Sequence, residues 1–158
     1  MKSLYLYRKT TPVLFFFAFV LIGSLSVSAQ TMVGKEKPLY ERLGGYDALA
    51  AVTDDFAGRL INDKKLGKFF IGLSDDSTKR LRQHVIDFLC MATGGPCAYN
   101  GRDMKTVHTG LEITEEEWNI SVKHLTDTLN KFKVPEKEKM EVLTAIGGLK
   151  KDIVEKQK

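Results

Sequence analysis

Four stretches of the chain repeat apolar residues at steps of three and four, and that spacing commits it to helices. The first follows the Gly44-Gly45 turn, with Leu49, Val52, Phe56 and Leu60 on one stripe from Tyr46 onward. The second begins near Ser77, carries Leu81, Val85, Phe88 and Ala92, and is stopped by Gly94-Gly95-Pro96. The third opens on Thr114 with Glu117 three positions on, a capping box, ahead of Trp118, Val122, Leu125, Leu129 and Phe132. The fourth takes Pro135 in its first turn and buries Val142, Ile146, Leu149 and Ile153. No alternating pattern lasts long enough for a strand, and no internal repeat is present. The fold class is therefore all-α, in one domain.

The beginning of the chain is of a different kind. Residues 1–29 carry Lys2, Arg8 and Lys9, an apolar run from Val13 to Val27, and the small residues Val27-Ser28-Ala29, which is the form of a secretory signal peptide cut before Gln30. The apolar run is shorter than the ~20 residues of a comfortable membrane span, so a membrane contact would come only through an uncleaved signal. The expected division is a signal at 1–29, a short lead at 30–38 and a folded domain at 39–158, in a protein exported to the periplasm or beyond the cell. Of 24 Lys and Arg against 20 Asp and Glu, three basic residues belong to the signal. The remainder is close to neutral, with interspersed signs, and gives no warrant for nucleic-acid binding. In an oxidising compartment Cys90 and Cys97 either close a small disulfide loop or remain two free thiols. No C-x-x-C-H occurs, which excludes covalent attachment of the c type.

One segment breaks the helical pattern. Residues 94–113 read GGPCAYNGRDMKTVHTGLEI, with glycines at 94, 95, 101 and 110. Tyr99, Met104, Val107, His108 and Leu111 make it too apolar for a solvated linker, so it must pack against the core or against a flat apolar cofactor. Near His108 stand only the carboxylates Asp103 and Glu112, with no second His or Cys to complete a chelate. On residues alone it is a core histidine bonded to backbone or the fifth ligand of a haem iron. His84 lies at the edge of the second stripe and can reach a cavity without occupying its middle. His124 points away from the third stripe and is expected on the surface. Zinc would want four ligands at chelating spacing, which these histidines do not offer.

From Leu39 to Val154 the chain resembles the group I truncated haemoglobins, the two-over-two helical globins. The matching pieces run in order: LYERLGG, DDFAGRLINDKKLGKFF, RQHVIDFL, GGPCAYNGRDMKTVHTGL and VPEKEKMEVL. The resemblance implies a globin-like helical sandwich around one b-type haem per chain. It makes His108 the proximal iron ligand and Phe70 the phenylalanine that packs on the porphyrin. It puts Leu81, Val85, Phe88 and Leu89 over the distal face, Met104 and Val107 on the proximal side, and Tyr99 and Arg102 near the porphyrin edge. His84 matches a place where some members supply a second histidine to the iron. The family commonly has a tyrosine after the phenylalanine of DDF and a glutamine on the distal helix. Here Ala57, Leu81 and Val85 stand instead. A polar hydrogen bond to bound oxygen in a dry pocket is worth about 1.5–3 kcal/mol, so its loss argues against tight oxygen storage.

The resemblance implies reversible binding of diatomic gases (oxygen, nitric oxide, carbon monoxide), with oxygen transport among the roles. The alternative is a bis-histidine redox protein with an unidentified electron partner, turning over nitric oxide or peroxide, in which His84 is the only acid/base at hand. A haem-free helical binding domain would leave His108 and the glycine-rich segment without a purpose.

Overall fold

A computed structural model of the protein describes residues 36–156; the expected signal and most of the lead lie outside the described residues. Pro38 precedes a single turn, α1 (Leu39–Arg42), and the left-handed Gly44 (φ 100°) then redirects the chain into α2 (Gly45–Asn62). A 3-10 turn over Gly67–Phe70 leads to α3 (Asp75–Ala92). That helix starts two residues before the position expected from the stripe, because Ser74 is its cap and accepts from the Ser77 amide at 3.2 Å. It ends as the sequence requires. Gly94 turns left-handed (φ 83°) and the Gly95 amide donates back to the Cys90 carbonyl at 2.8 Å.

Within the glycine-rich segment stands a helix that the stripes did not reveal, α4 (Met104–His108), of five residues. Then follow α5 (Glu115–Lys131), α6 (Glu136–Gly147) and α7 (Lys150–Ile153). Both halves of the Thr114–Glu117 capping box are made. Pro135 sits just before α6 rather than inside it, and the expected fourth helix is two, broken at Gly147-Gly148. No strand is present among the described residues, only an isolated bridge between Thr114 and Lys156. No described helix is long and apolar enough to cross a membrane.

Helix α2 packs on α3 and α5, and α5 packs on α6, giving two helix pairs laid over each other. Val52, Leu125, Leu129 and Val142 interlock where α2, α5 and α6 meet, with Leu39, Leu43, Phe56, Val134, Leu143 and Ile146 around them. Burying such aliphatic side chains stabilises by roughly 1.5–3 kcal/mol each. Polar ties cross the same layers. The Asp55 carboxylate accepts from the buried Thr128 hydroxyl at 2.9 Å and from Arg59 at 2.7 Å, and pairs with Lys131. Arg42 joins α1 to Glu138 (2.6 Å) and Glu141 of α6.

Candidate haem-binding site

The proximal element is short, so its ends decide where it lies. Asp103 caps the start of α4, accepting from the Thr106 amide (2.9 Å) and hydroxyl (2.7 Å). These donors hold the Asp103 carboxyl below its usual range. His108 is the last residue of the helix, half-buried, and its Nδ1 lies 2.7 Å from the Met104 carbonyl. A carbonyl can only accept, so Nδ1 carries the proton and donates. In the neutral ring the lone pair is then on Nε2, the tautomer in which an imidazole binds a metal. Met104 is half-buried and Val107 exposed beside it.

The distal helix α3 offers Leu81, Val85, Phe88 and Leu89. Val85, Phe88 and Leu89 are half-buried, while Leu81 is 41% exposed. Ala57 on α2 brings no donor. Gln83 is engaged elsewhere, donating to the Tyr46 hydroxyl and the Asp87 carboxylate at 2.9 Å each. His84 is the polar group left on this side. Its ring is half-buried and its Nδ1 is fully enclosed without a hydrogen-bond partner. Tyr99 stands edge-on to His84 (ring centroids 6.0 Å apart) and to Phe88 (5.4 Å), and its hydroxyl donates to the Arg102 carbonyl at 2.6 Å. The structure thus brings Tyr99 to the distal histidine, a contact that spacing alone did not reveal. Arg102 itself is exposed.

A disulfide joins Cys90, fully buried on α3, to Cys97 in the loop that carries Tyr99. Of the two states left open by the sequence, the bridged one is found. Gly95 lies inside this closure, where a Cβ would meet the Tyr40 ring at 2.5 Å and the Cys90 sulfur at 2.6 Å, so only glycine fits.

Phe70 is half-buried at the end of the 3-10 turn; Lys68 covers the neighbouring Phe69 ring at 4.8 Å. Three ties fix this turn. Lys68 pairs with Glu117 at 2.5 Å, Lys65 pairs with Glu116, and Asp63 accepts from the Lys65 and Leu66 amides. Burial would raise the Glu117 carboxyl, but Lys68 and Thr114 outweigh it and hold it low. The expectation for His124 is corrected here. It is half-buried, not on the surface, because its Nε2 lies 2.8 Å from the Asp63 carboxylate and draws the ring into the corner between α2 and α5. A residue 61 positions away in sequence supplied the reason, and no local pattern signals such a partner.

These residues fit a porphyrin. The imidazole of His108 is held in the metal-binding tautomer, the enclosed Nδ1 of His84 lacks a partner, and the large apolar residues Val107, Leu111, Leu81 and Leu73 stand 36–42% exposed. A flat apolar group held through one imidazole matches that donor set better than a chelated cation does.

Comparison with known proteins supports the same class. The model of the bacterial-like globin family matches residues 38–155. A group 1 truncated haemoglobin of Mycolicibacterium paratuberculosis is 33% identical over 129 residues, spanning 82% of this chain and 93% of that one. Another, from a Nostoc species, is 30% identical over 118 residues, spanning 75% and 98%. Among solved structures, the truncated haemoglobin of Tetrahymena pyriformis in its Fe(III) form superposes with a TM-score of 0.70 at 28% identity, covering 76% of this chain and all of that one. The two-over-two haemoglobin of a Synechococcus species gives 0.69 at 27%, covering 75% and 98%. The fold is thus a two-over-two helical globin. The chain belongs to the bacterial-like globin family, with haem b as its cofactor and diatomic gases as its class of ligand.

Proposed function

We propose that this protein is an exported globin that binds oxygen, nitric oxide or carbon monoxide reversibly at a haem held by Nε2 of His108. The hydrogen bond from Nδ1–H to the Met104 carbonyl carries the reading, since it fixes the tautomer that ligation requires. Phe70, Val85, Phe88, Leu89, Met104 and Val107 would enclose the porphyrin faces, Leu81 and Tyr99 would border it, and Arg102 is free to meet a propionate. The bound haem supplies the iron and its affinity for gases. The chain supplies the imidazole, an apolar distal wall and the exclusion of water. With Ala57, Leu81 and Val85 bringing no donor to that wall, bound oxygen would be released quickly, which suits exchange or sensing over storage.

A second reading rests on His84. Its Nδ1 is enclosed without a partner beside the aromatic edges of Tyr99 and Phe88. A swing of this ring toward the iron would give bis-histidine ligation and favour electron transfer or removal of nitric oxide or peroxide with an external redox partner. The spectrum of the ferrous, ligand-free protein beside His84→Ala separates the two. Sharp split visible bands that collapse to one broad band in the variant would place His84 on the iron. One broad band in both would leave the sixth position to gases alone.

Export is part of the proposal, with 1–29 as a cleaved signal, 30–38 as lead and 39–158 as the globin domain. The residues of the signal and the Cys90–Cys97 bridge support it, since such bridges persist in oxidising compartments. Fractionation of producing cells and the mass of the mature protein test it. A cytoplasmic product of full length would refute it.

A further inference from the structure

Helix α4 is little more than one turn, and a helix that short has no stability of its own. Its front is capped by Asp103. Its rear passes at once into a turn closed locally by the Leu111 amide on the His108 carbonyl (3.1 Å), with Gly110 at φ 88°, and then into Glu112, which is not glycine, at φ 55°. What holds Glu112 in place and anchors that turn lies at the other end of the chain. The Glu155 carboxylate accepts from the Gly110 amide at 2.9 Å with one oxygen and from the Glu112 amide at 2.6 Å with the other. Around this clasp the Glu155 and Lys156 amides both donate to the Ile113 carbonyl (2.9 and 3.1 Å), the Glu115 amide donates to Lys156 (3.2 Å), and Lys156 pairs with Glu112 at 2.6 Å. Helix α7, just before the clasp, packs against α4. His108 is two residues from Gly110, so the placement of its ring follows the placement of this turn.

We infer that Glu155 is a positioning residue for the proximal histidine, acting through the amides of Gly110 and Glu112. It touches neither haem nor gas, and the inference rests on the reading of His108 as iron ligand. Its carboxylate is a charge-assisted acceptor for two donors at once, and it holds a non-glycine residue in the left-handed region at a cost that only a specific partner offsets. The two amides hold the Glu155 carboxyl below its usual range, with a smaller contribution from Lys156, so it remains ionised at neutral pH. Glutamine has one acceptor oxygen and would turn an amide N–H toward one of the two donors. Alanine would lose both bonds.

The test uses full-length mature protein in a His84→Ala background, so that only one protein ligand remains for the iron. Glu155→Ala and Glu155→Gln are each compared with that parent. The iron–histidine stretching band of the ferrous form should move to lower frequency and broaden in both, more in the alanine variant. Haem should pass to excess apomyoglobin about tenfold faster in Glu155→Ala. Amide exchange at Gly110 and Glu112 should accelerate while exchange in α5 holds. Where the alanine variant is too unstable to load, the glutamine variant, which keeps the side-chain volume, decides by the same band and the same amides. A band and amides unmoved in Glu155→Gln and Glu155→Ala, with haem still lost on His108→Gly, would overturn the positioning role alone. Haem retained unchanged in His108→Gly would overturn the ligation reading, and the role with it.

Discussion

Val52, Leu125, Leu129 and Val142 pack against one another from three helices, while the stretch from residue 94 to residue 113 contains no buried residue. The first region is held by apolar area removed from water, which is non-directional and spread over many contacts. The second is held by a few discrete ties: the Cys90–Cys97 bridge, the Asp103 cap, the Tyr99 hydroxyl on Arg102, and the Glu155 clasp. A scaffold built by burial survives changes at its surface. A binding segment built by ties can be altered one tie at a time. Of the proposed haem contacts, Tyr99, Arg102, Met104, Val107 and His108 lie in the second region, and the rest on α3 and the 3-10 turn.

Removing the imidazole is the sharpest way to test that division. His108→Gly is expected to abolish haem retention through gel filtration, with added imidazole restoring part of the Soret band and the helical signal of the scaffold remaining. Retention without imidazole would break the comparison. Next in size is a cut into the packed region. Leu129, 2% exposed, should cost about 2–5 kcal/mol on truncation to alanine, read as a lower urea midpoint, with the visible spectrum of the folded fraction unchanged.

The bridge comes third. It closes a loop between positions seven apart, so the Cys90→Ser, Cys97→Ser double variant should lose about 2–3 kcal/mol. In the holoprotein that variant should also change the visible spectrum wherever His84 takes part, since Cys97 tethers the loop that presents Tyr99 to it. A smaller effect concerns pH. Lys131, then Arg59 and Thr128, hold the Asp55 carboxyl far below the usual carboxylate range against the opposing pull of burial. Its stabilisation is therefore complete above the unfolded pKa of about 3.9 and lost as pH falls from there toward the depressed folded value. The stability difference between the parent and Asp55→Asn should be constant near neutrality and shrink below about pH 4, followed by urea titrations at stepped pH. Last, Thr114→Ala should cost about 1 kcal/mol, since it removes the cap at the start of α5 while Glu117 keeps its pairing with Lys68, and should leave gas binding unmoved.

The same division separates what the sequence reveals from what it hides. Helices α2, α3, α5 and most of α6 were readable because their stripes recur over three or more turns, and the Thr114 cap was readable because its partner is three residues away. Helix α4 was hidden, since five residues cannot display a period. The break at Gly147-Gly148 was hidden because Leu149 and Ile153 continue the apolar spacing through it. Of the candidate site, His108, His84 and the distal apolar residues came from family likeness joined to helical position. The contact of Tyr99 with His84, the pairing of His124 with Asp63 and the reach of Glu155 to Gly110 did not. Each joins positions 15 to 61 residues apart by a bond that leaves no trace in local composition.

The span of the Glu155 clasp also orders events in time. The turn behind His108 is anchored by a residue made 45 positions after Gly110. At about 5–20 residues per second of synthesis, the segment from Gly110 onward waits for seconds before its clasp exists. Helix α2, which carries Val52, is already made when that interval opens and α5, which carries Leu125, is completed within it, so the two can begin to pack before the clasp exists. A nascent chain shorter than 155 residues has no means of fixing the proximal turn in this way. With Glu155 positioning His108 as inferred, secure capture of the cofactor would be a late step, one that tests whether the chain has been made through to its strap.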